Sequence, residues 1–318
     1  MSALYLTEDD VEQLVDMRLA IEVVEEAFRR LAAGDATNVP RVRAKAPGII
    51  LHSMSAAAGY LGLVGWKNYT TTKHGAKFHV GLYSQQSGEL LALVEAETLG
   101  QIRTGATTGV AAQWLAAPTA TEIGLFGAGW QAESQLAALA TVRPLKRVFV
   151  YSRKEQDRTA FADEMSEELG LEVVPVDRPQ EAVQDLPIVV TATTSTEPVF
   201  DGNWLADGAL VCAIGSNMLT KAEIDPVVVR RADNVVCDSV EACRNEAGDF
   251  VEAIAKGIFN WSRAIELADV VAGKAVCHSR SQNISLFKSV GLAIEDVALG
   301  GTILELARAK GLGRELPF

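Results

Sequence analysis

Ile123-Gly124-Leu125-Phe126-Gly127-Ala128-Gly129-Trp130-Gln131-Ala132-Glu133 reads as a short apolar strand, a tight glycine turn and the start of a helix. Gly127, Gly129 and Ala132 fit the G-x-G-x-x-G/A pattern that holds a dinucleotide pyrophosphate. Gly127 permits the turn, and Gly129 lets the backbone approach the phosphates. Ala132 lets helix pack on strand, and the helix N-terminus offers N–H groups to the anion. Trp130 and Gln131 open that helix beside the same turn.

From Thr121 onward strands and helices alternate. Ile123 to Phe126, Val148 to Tyr151, Glu172 to Pro175, Ile188 to Thr191, Leu210 to Ile214 and Asn234 to Cys237 read as parallel strands. Helices are expected near Gln131 to Thr141, Lys154 to Leu169, Pro179 to Gln184 and Lys221 to Arg231. This is the pattern of an α/β Rossmann fold, a doubly wound parallel sheet. After Ser239 the chain reads as mostly helical to about Val271. Ser285 to Gly291 then leads as a turn into a long helix, Leu292 to Lys310.

The N-terminal third differs. Thr7-Glu8-Asp9-Asp10 reads as a helix cap, followed by two amphipathic helices to Ala33. Arg41 to Leu51, Gly62 to Tyr69, Phe78 to Tyr83 and Leu90 to Glu95 read as strands, with a turn at Ser87-Gly88. A small-residue helix covers Glu97 to Ala116. The expected organisation is an α+β domain over residues 1–116, rejoined by 292–318, and a dinucleotide-binding domain over 117–291.

The 318 residues are 48% hydrophobic and 22% charged, which suits a soluble globular enzyme. A formal charge of −12 argues against nucleic acid or an anionic membrane as partner. No apolar run reaches a membrane span, and Met1 to Asp10 turns acidic at once, without the look of a signal peptide. Cys212, Cys237, Cys243 and Cys277 lack C-x-x-C spacing and read as reduced thiols of a cytoplasmic protein. His52, His278 and the cysteines show no metal-ligand spacing, so no metal is expected.

The strand after the glycine turn ends in Tyr151-Ser152-Arg153-Lys154. An NAD-type site usually carries Asp or Glu here for the ribose hydroxyls. Ser152 is neutral, and Arg153 and Lys154 suit a 2′-phosphate, or else merely open the next helix in solvent. The charge argument favours NADP(H) and leaves NAD(H) open.

The chain resembles the ornithine cyclodeaminase and mu-crystallin family, and within it the imine-reductase-like branch. The resemblance covers nearly the whole chain. It rests on Leu99-Gly100-Gln101-Ile102-Arg103-Thr104-Gly105-Ala106, the turn at 127–132, and Ala213-Ile214-Gly215-Ser216-Asn217. Glu223-Ile224-Asp225, Glu246-Ala247-Gly248-Asp249 and Phe287-Lys288-Ser289-Val290-Gly291 carry it further. It implies an N-terminal domain that pairs across a two-fold axis as a homodimer, and hydride exchange at the carbon bearing the nitrogen of an α-amino acid. Members include cyclodeaminases, alanine dehydrogenases, opine-type enzymes and reductases of cyclic ketimines or iminosuccinate.

Arg41, Lys67 and Arg103 match the family's carboxylate-binding positions, and an arginine fork suits a carboxylate. Lys67, in an apolar strand beside Trp66, is the expected catalytic amine. Arg103, Thr104, Thr193, Asn217, Lys221, Ser289, Val290 and Gly291 are the remaining expected cofactor contacts. Ser289-Val290-Gly291 offers N–H groups to a nicotinamide amide, or is a plain helix cap. Asn217 stands where cyclodeaminases carry Asp. Asn is no general base but hydrogen-bonds an imine nitrogen or a water, which tilts the reading from cyclodeamination to imine reduction. His74, Lys77 and His79 hint at a substrate with a second anionic group. Glu223 and Asp225 read as helix-start carboxylates. The expected function is an NAD(P)H-dependent reductase of α-imino acids. Ornithine cyclodeaminase, alanine dehydrogenase and a non-enzymatic nucleotide binder are the alternatives.

Overall fold

A computed structural model describes residues 2–277 and 282–317. Met1 and His278, both used in the sequence reading, lie outside the described residues. The chain divides into two compact units, Met1–Ala106 with Gly291–Phe318, and Thr107–Val290.

The first unit opens with β1 (Leu4–Leu6), α1 (Glu8–Glu12), α2 (Met17–Ala33), β2 (Ala36–Ala46), β3 (Ile49–Ala58), β4 (Leu63–Thr72), β5 (Gly75–Ser84) and β6 (Leu90–Glu95). Thr7 caps α1 through a reciprocal box with Asp10, and Asp16 caps α2 by accepting from the Leu19 N–H. The helix α3 (Glu97–Leu115) carries the chain into the second unit.

The second unit runs through β7 (Glu122–Phe126), α4 (Trp130–Val142), β8 (Arg147–Tyr151), α5 (Glu155–Leu169), β9 (Glu172–Pro175), β10 (Ile188–Thr191), β11 (Leu210–Ala213), α6 (Pro226–Arg231) and β12 (Asn234–Cys237). Then come α7 (Val240–Glu246), α8 (Val251–Ala255), β13 (Ala264–Glu266), α9 (Leu267–Val271) and β14 (Ser285–Lys288). The chain returns to the first unit with α10 (Ala293–Lys310) and β15 (Arg314–Glu315).

The first unit's sheet has the order β15-β1-β6-β5-β4-β3-β2, and β2 to β6 form an antiparallel meander. Strict alternation in β4 buries Leu63, Gly65, Lys67 and Tyr69 on one face, against which α10 packs. The second unit's sheet has the order β13-β12-β14-β11-β10-β7-β8-β9 and is parallel throughout, as the alternating strand-helix pattern predicts. Four-residue strands such as Ile188–Thr191 and Leu210–Ala213 are buried along their whole length, as a sheet covered on both faces requires.

Several sequence expectations are corrected. Arg41 to Leu51 is two strands, not one, because Pro47-Gly48 makes a hairpin turn with Gly48 at φ 81°. The Lys221 to Arg231 helix is only α6, since Asp225 caps it and Pro226 must sit in its first turn. The region after Ser239 holds a strand, β13, among three short helices. Ser285–Lys288 is no turn but β14, seated between β11 and β12.

Candidate active site

In the second unit a cleft of about 700 Å³ opens at the end of β7. Phe126, Gly127, Ala128 and Gly129 line it with Tyr151, Ser152, Arg153, Lys154 and Asp157, and Ala192, Thr193, Thr194, Ser195 and Val199 complete the wall. Gly127 sits at φ 106°, and a Cβ there would lie 2.4 Å from the Ala192 carbonyl oxygen. Only glycine lets the two loops meet so closely. A Cβ on Gly129 would meet nothing, so the turn keeps open space beside the start of α4. Gly129 is the N-cap, and no side chain caps the helix. The N-terminal dipole is therefore available to an anion. Gln131 Oε1 is buried without a protein hydrogen bond, and Ala132 is fully buried at the helix–strand contact. These residues fit a dinucleotide.

Arg153 and Lys154 are exposed, and Lys154 Nζ lies 3.8 Å from Asp157. The sequence-derived set Gly127, Gly129, Ser152, Arg153, Lys154 and Thr193 thus shares one cleft. Asn217, Lys221, Ser289 and Val290 do not line it; they sit on the loops after β11 and β14. The Ser216 carbonyl, next to Asn217, accepts from Lys288 Nζ at 2.7 Å, and the Lys221 carbonyl accepts from the Ser216 hydroxyl at 3.2 Å. One expectation is corrected here. The Val290 N–H and the Ser289 hydroxyl both donate to Asp238 Oδ2, at 2.7 and 2.8 Å, so the turn spends these donors inside the protein.

The first unit gathers a buried charge cluster. The bulge in β2 between Val39 and Val42 supplies one extra residue. It turns Arg41 inward, so that its guanidinium lies 5.9 Å from the Tyr69 ring and donates to the Gly291 carbonyl at 3.3 Å. Lys67 is buried on the α10 side of β4, and its Nζ is 2.6 Å from Asp296 Oδ1. Gly100 makes room for that ammonium, since a Cβ there would be 2.8 Å from Nζ. Arg103 spans both acids at the head of α10, Glu295 at 2.6 Å and Asp296 at 3.1 Å. Tyr69 stacks on His52, centroids 4.1 Å apart, and on Phe78 at 5.0 Å.

Burial, with the Arg103 charge beside it, lowers the Lys67 ammonium to about 8 despite its bond to Asp296. Burial also works against the Arg103 charge, but Asp296 and Glu295 outweigh it and raise its pKa. His52 is pushed down to about 4, by burial first and then by Arg43 and Arg41, so it is neutral near pH 7. The five ionisable groups Arg41, Lys67, Arg103, Glu295 and Asp296 therefore form a buried set with three cations and two carboxylates. Such a surplus suits one small carboxylate.

Arg41, Lys67 and Arg103 are thus brought together. Thr104 is near in sequence, but its hydroxyl donates to the Gly100 carbonyl of its own helix at 2.7 Å. His74 is exposed at the β4–β5 hairpin tip, and Lys77 is exposed with Glu97 3.7 Å away. Five residues of strand, roughly 17 Å, run from Lys67 to the end of β4 at Thr72, and His74 lies beyond it in the turn. Glu295 and Asp296 were not singled out by the sequence reading. Their signal was two adjacent acids opening a helix that is otherwise apolar from Ala293 to Gly301. Among the described residues no group of His, Cys, Asp and Glu could hold a metal ion, and no helix is long and apolar enough to cross a membrane.

The sequence profile of the ornithine cyclodeaminase/mu-crystallin family matches residues 1–311. A Δ1-pyrroline-2-carboxylate reductase of Bacillus cereus is 36% identical over 235 residues, covering 73% of this chain and 72% of that one. An alanine dehydrogenase of Archaeoglobus fulgidus is 32% identical over 329 residues, covering 100% and 99%. The structure of Thermococcus litoralis Δ1-pyrroline-2-carboxylate reductase in complex with NADH and L-proline is similar with a TM-score of 0.93. It is 32% identical and covers 98% of this chain and 100% of that one. With the profile matched over nearly its whole length and full-length relatives above 30% identity, the chain belongs to the ornithine cyclodeaminase/mu-crystallin family.

Proposed function

We propose that this protein is an NAD(P)H-dependent reductase of α-imino acids that forms an L-amino acid. The observation that carries the reading is the buried cluster with one surplus cation and a lysine poised near pH 8. In this reading Arg41 and Arg103 hold the substrate carboxylate, and Lys67 supplies the proton that the new amine needs. A bound reduced nicotinamide supplies the hydride. Gly127 and Gly129 in the cleft, with Gln131 at the start of α4, would hold the pyrophosphate side of the dinucleotide, and Ser152, Arg153 and Lys154 its ribose. Asn217 supports reduction over cyclodeamination, because an amide cannot accept the protons that amine oxidation releases. The pyrroline-2-carboxylate reductases among the relatives support the same chemistry.

The test is NADH and NADPH oxidation at 340 nm with pyrroline-2-carboxylate, piperideine-2-carboxylate, iminosuccinate, and pyruvate with ammonia. Rapid oxidation with an imine is expected. Ammonia release from ornithine without net absorbance change, or turnover only with pyruvate plus ammonia, would replace the reading by cyclodeaminase or alanine dehydrogenase.

The Arg153-Lys154 pair supports NADP(H), although the NADH in the Thermococcus complex keeps NAD(H) in play. Arg153→Ala is expected to raise the KM for NADPH about tenfold, the value of one charge-assisted bond, and to leave that for NADH unchanged. Equal effects on both cofactors would discard the NADP(H) preference.

The first unit is proposed to pair as a homodimer through the sheet face opposite Lys67. Val39, Val42, Ile49, Leu51 and Val64 stand on that face and are 40 to 64% exposed, an apolar patch that a monomer rarely tolerates. Val42→Asp is expected to halve the mass in sedimentation while circular dichroism is retained. An unchanged mass would refute this interface.

A further inference from the structure

We propose that Glu223 is a positioning residue that sets the width of the dinucleotide cleft, by clamping Thr193 beyond β10 to Gly215 beyond β11. The inference rests on the cofactor reading above.

The carboxylate is fully buried and takes bonds from both loops. Its Oε1 accepts from the Thr193 N–H and the Thr193 hydroxyl, each at 2.7 Å. Its Oε2 accepts from the Gly215 N–H at 2.6 Å and the Thr191 hydroxyl at 3.0 Å. Thr191 and Ala213 are the last paired residues of β10 and β11. Both backbone donors lie two residues further on, where ladder bonds between these strands have stopped. Glu223 thus replaces the ladder at the mouth of the sheet, where ligands bind in open α/β folds. Three of its four bonds come from donors beyond the paired length, and the fourth from Thr191 at the very end of it.

The clamped segment is the cleft wall. Ala192 and Thr193 line the cleft, and the Ala192 carbonyl abuts Gly127 at the glycine turn. A shift of this wall by a few tenths of an ångström therefore closes or opens the turn that receives the phosphates. Gly215 has no space for a side chain, since a Cβ there would lie 2.3 Å from the Thr193 carbonyl oxygen and 2.5 Å from Glu223 Oε1.

Behind the clamp a second buried pair fixes its base. Asp249 accepts the Glu223 N–H at 2.7 Å and is ion-paired to Lys288 at 2.8 Å, while Lys288 donates to the Ser216 carbonyl at 2.7 Å. The backbone entering Asn217 and the backbone at Glu223 are thus tied to one cation. Burial raises the Glu223 pKa, and Lys288 and the Thr193 donors oppose it.

Glu223→Gln tests the clamp. Whichever way the amide turns, its NH₂ faces a backbone N–H, either that of Thr193 or that of Gly215. Amide hydrogen exchange in the ligand-free protein is expected to accelerate about tenfold or more at that residue, with Val189 and Val211 unchanged. The NADH dissociation constant, read by fluorescence, is expected to rise about tenfold, with kcat at saturation reduced far less. Thr191→Val, which removes one buried donor outside the cleft wall, is expected to give the same signs at about threefold. This variant decides the matter if Glu223→Gln does not fold. Wild-type exchange and wild-type NADH affinity in a folded variant would overturn the clamp. A wild-type protein that binds neither NADH nor NADPH would instead overturn the cofactor reading and take the inference with it.

Discussion

Lys67→Met is expected to lower kcat for imine reduction by about a thousandfold, within the range assigned to a lost general acid. Methionine keeps the length and the apolar stem but has no proton to give. Asp296 keeps a cation, because Arg103 Nε also reaches its Oδ1 at 3.1 Å. The chain should therefore still fold, and circular dichroism checks that. The pH profile makes the test specific. With the Lys67 ammonium at about 8, reduction by the wild type should fall as pH rises through 8, because the proton donor is lost. Oxidation of the amino acid should rise through the same range. Both limbs should be absent from Lys67→Met. The same pKa has a stability signature. Folding lowers this ammonium from its ordinary 10.5, so the unfolded chain binds more protons between about 8 and 10.5. Wild-type stability should gain relative to Lys67→Met as pH climbs through that window, and the difference should be flat below 8. A variant that retains the wild-type pH limb would remove Lys67 from the chemistry.

The strand–glycine–helix stretch at 123–133 was legible because its reading is local. The turn, the uncapped helix start and the small Ala132 all lie within eleven residues of one another. The buried acids Glu295 and Asp296 were not legible. They meet Arg103 across more than 190 residues of chain, and in sequence they look like carboxylates answering a helix dipole. Glu223 was misread for the same reason. Asp225 does start α6, its carboxylate oxygen accepting from the Val228 N–H, but Glu223 lies in the bend before that cap and serves two strand ends. His74 lies at the hairpin tip beyond β4, away from the buried Lys67. Nearness to Lys67 in number means distance in space when the residues between them form one strand. The inward turn of Arg41 depends on a bulge, and nothing in Val39-Pro40-Arg41-Val42 except the proline marks one.

Arg103→Met should be the most damaging single change in the first unit, in both stability and substrate affinity. It removes the 2.6 Å partner of Glu295 and one of two cations on Asp296, all of them buried. Breaking a buried ion pair from one side costs about 3–5 kcal/mol, because the carboxylate that loses this cation must stay charged in a poor solvent or take up a proton. A fall of this size should show as a lower denaturation midpoint that recovers partly at acid pH, where the acid is neutralised. The second consequence is independent of folding. Arg41 and Lys67 then face Glu295 and Asp296 with no surplus charge, so a substrate carboxylate enters a neutral site. On the scale of a lost buried charge partner, kcat/KM should fall about a hundredfold to a thousandfold. The double variant Arg103→Met, Glu295→Gln separates the two. It removes the uncompensated carboxylate charge, so stability should return by about 2 kcal/mol or more. The surplus cation returns with it, but the planar fork that grips a carboxylate does not. The KM should therefore stay high. If the double variant recovered wild-type KM, Arg103 would act only by neutralising Glu295, and the carboxylate-binding role would pass to Arg41 and Lys67 alone.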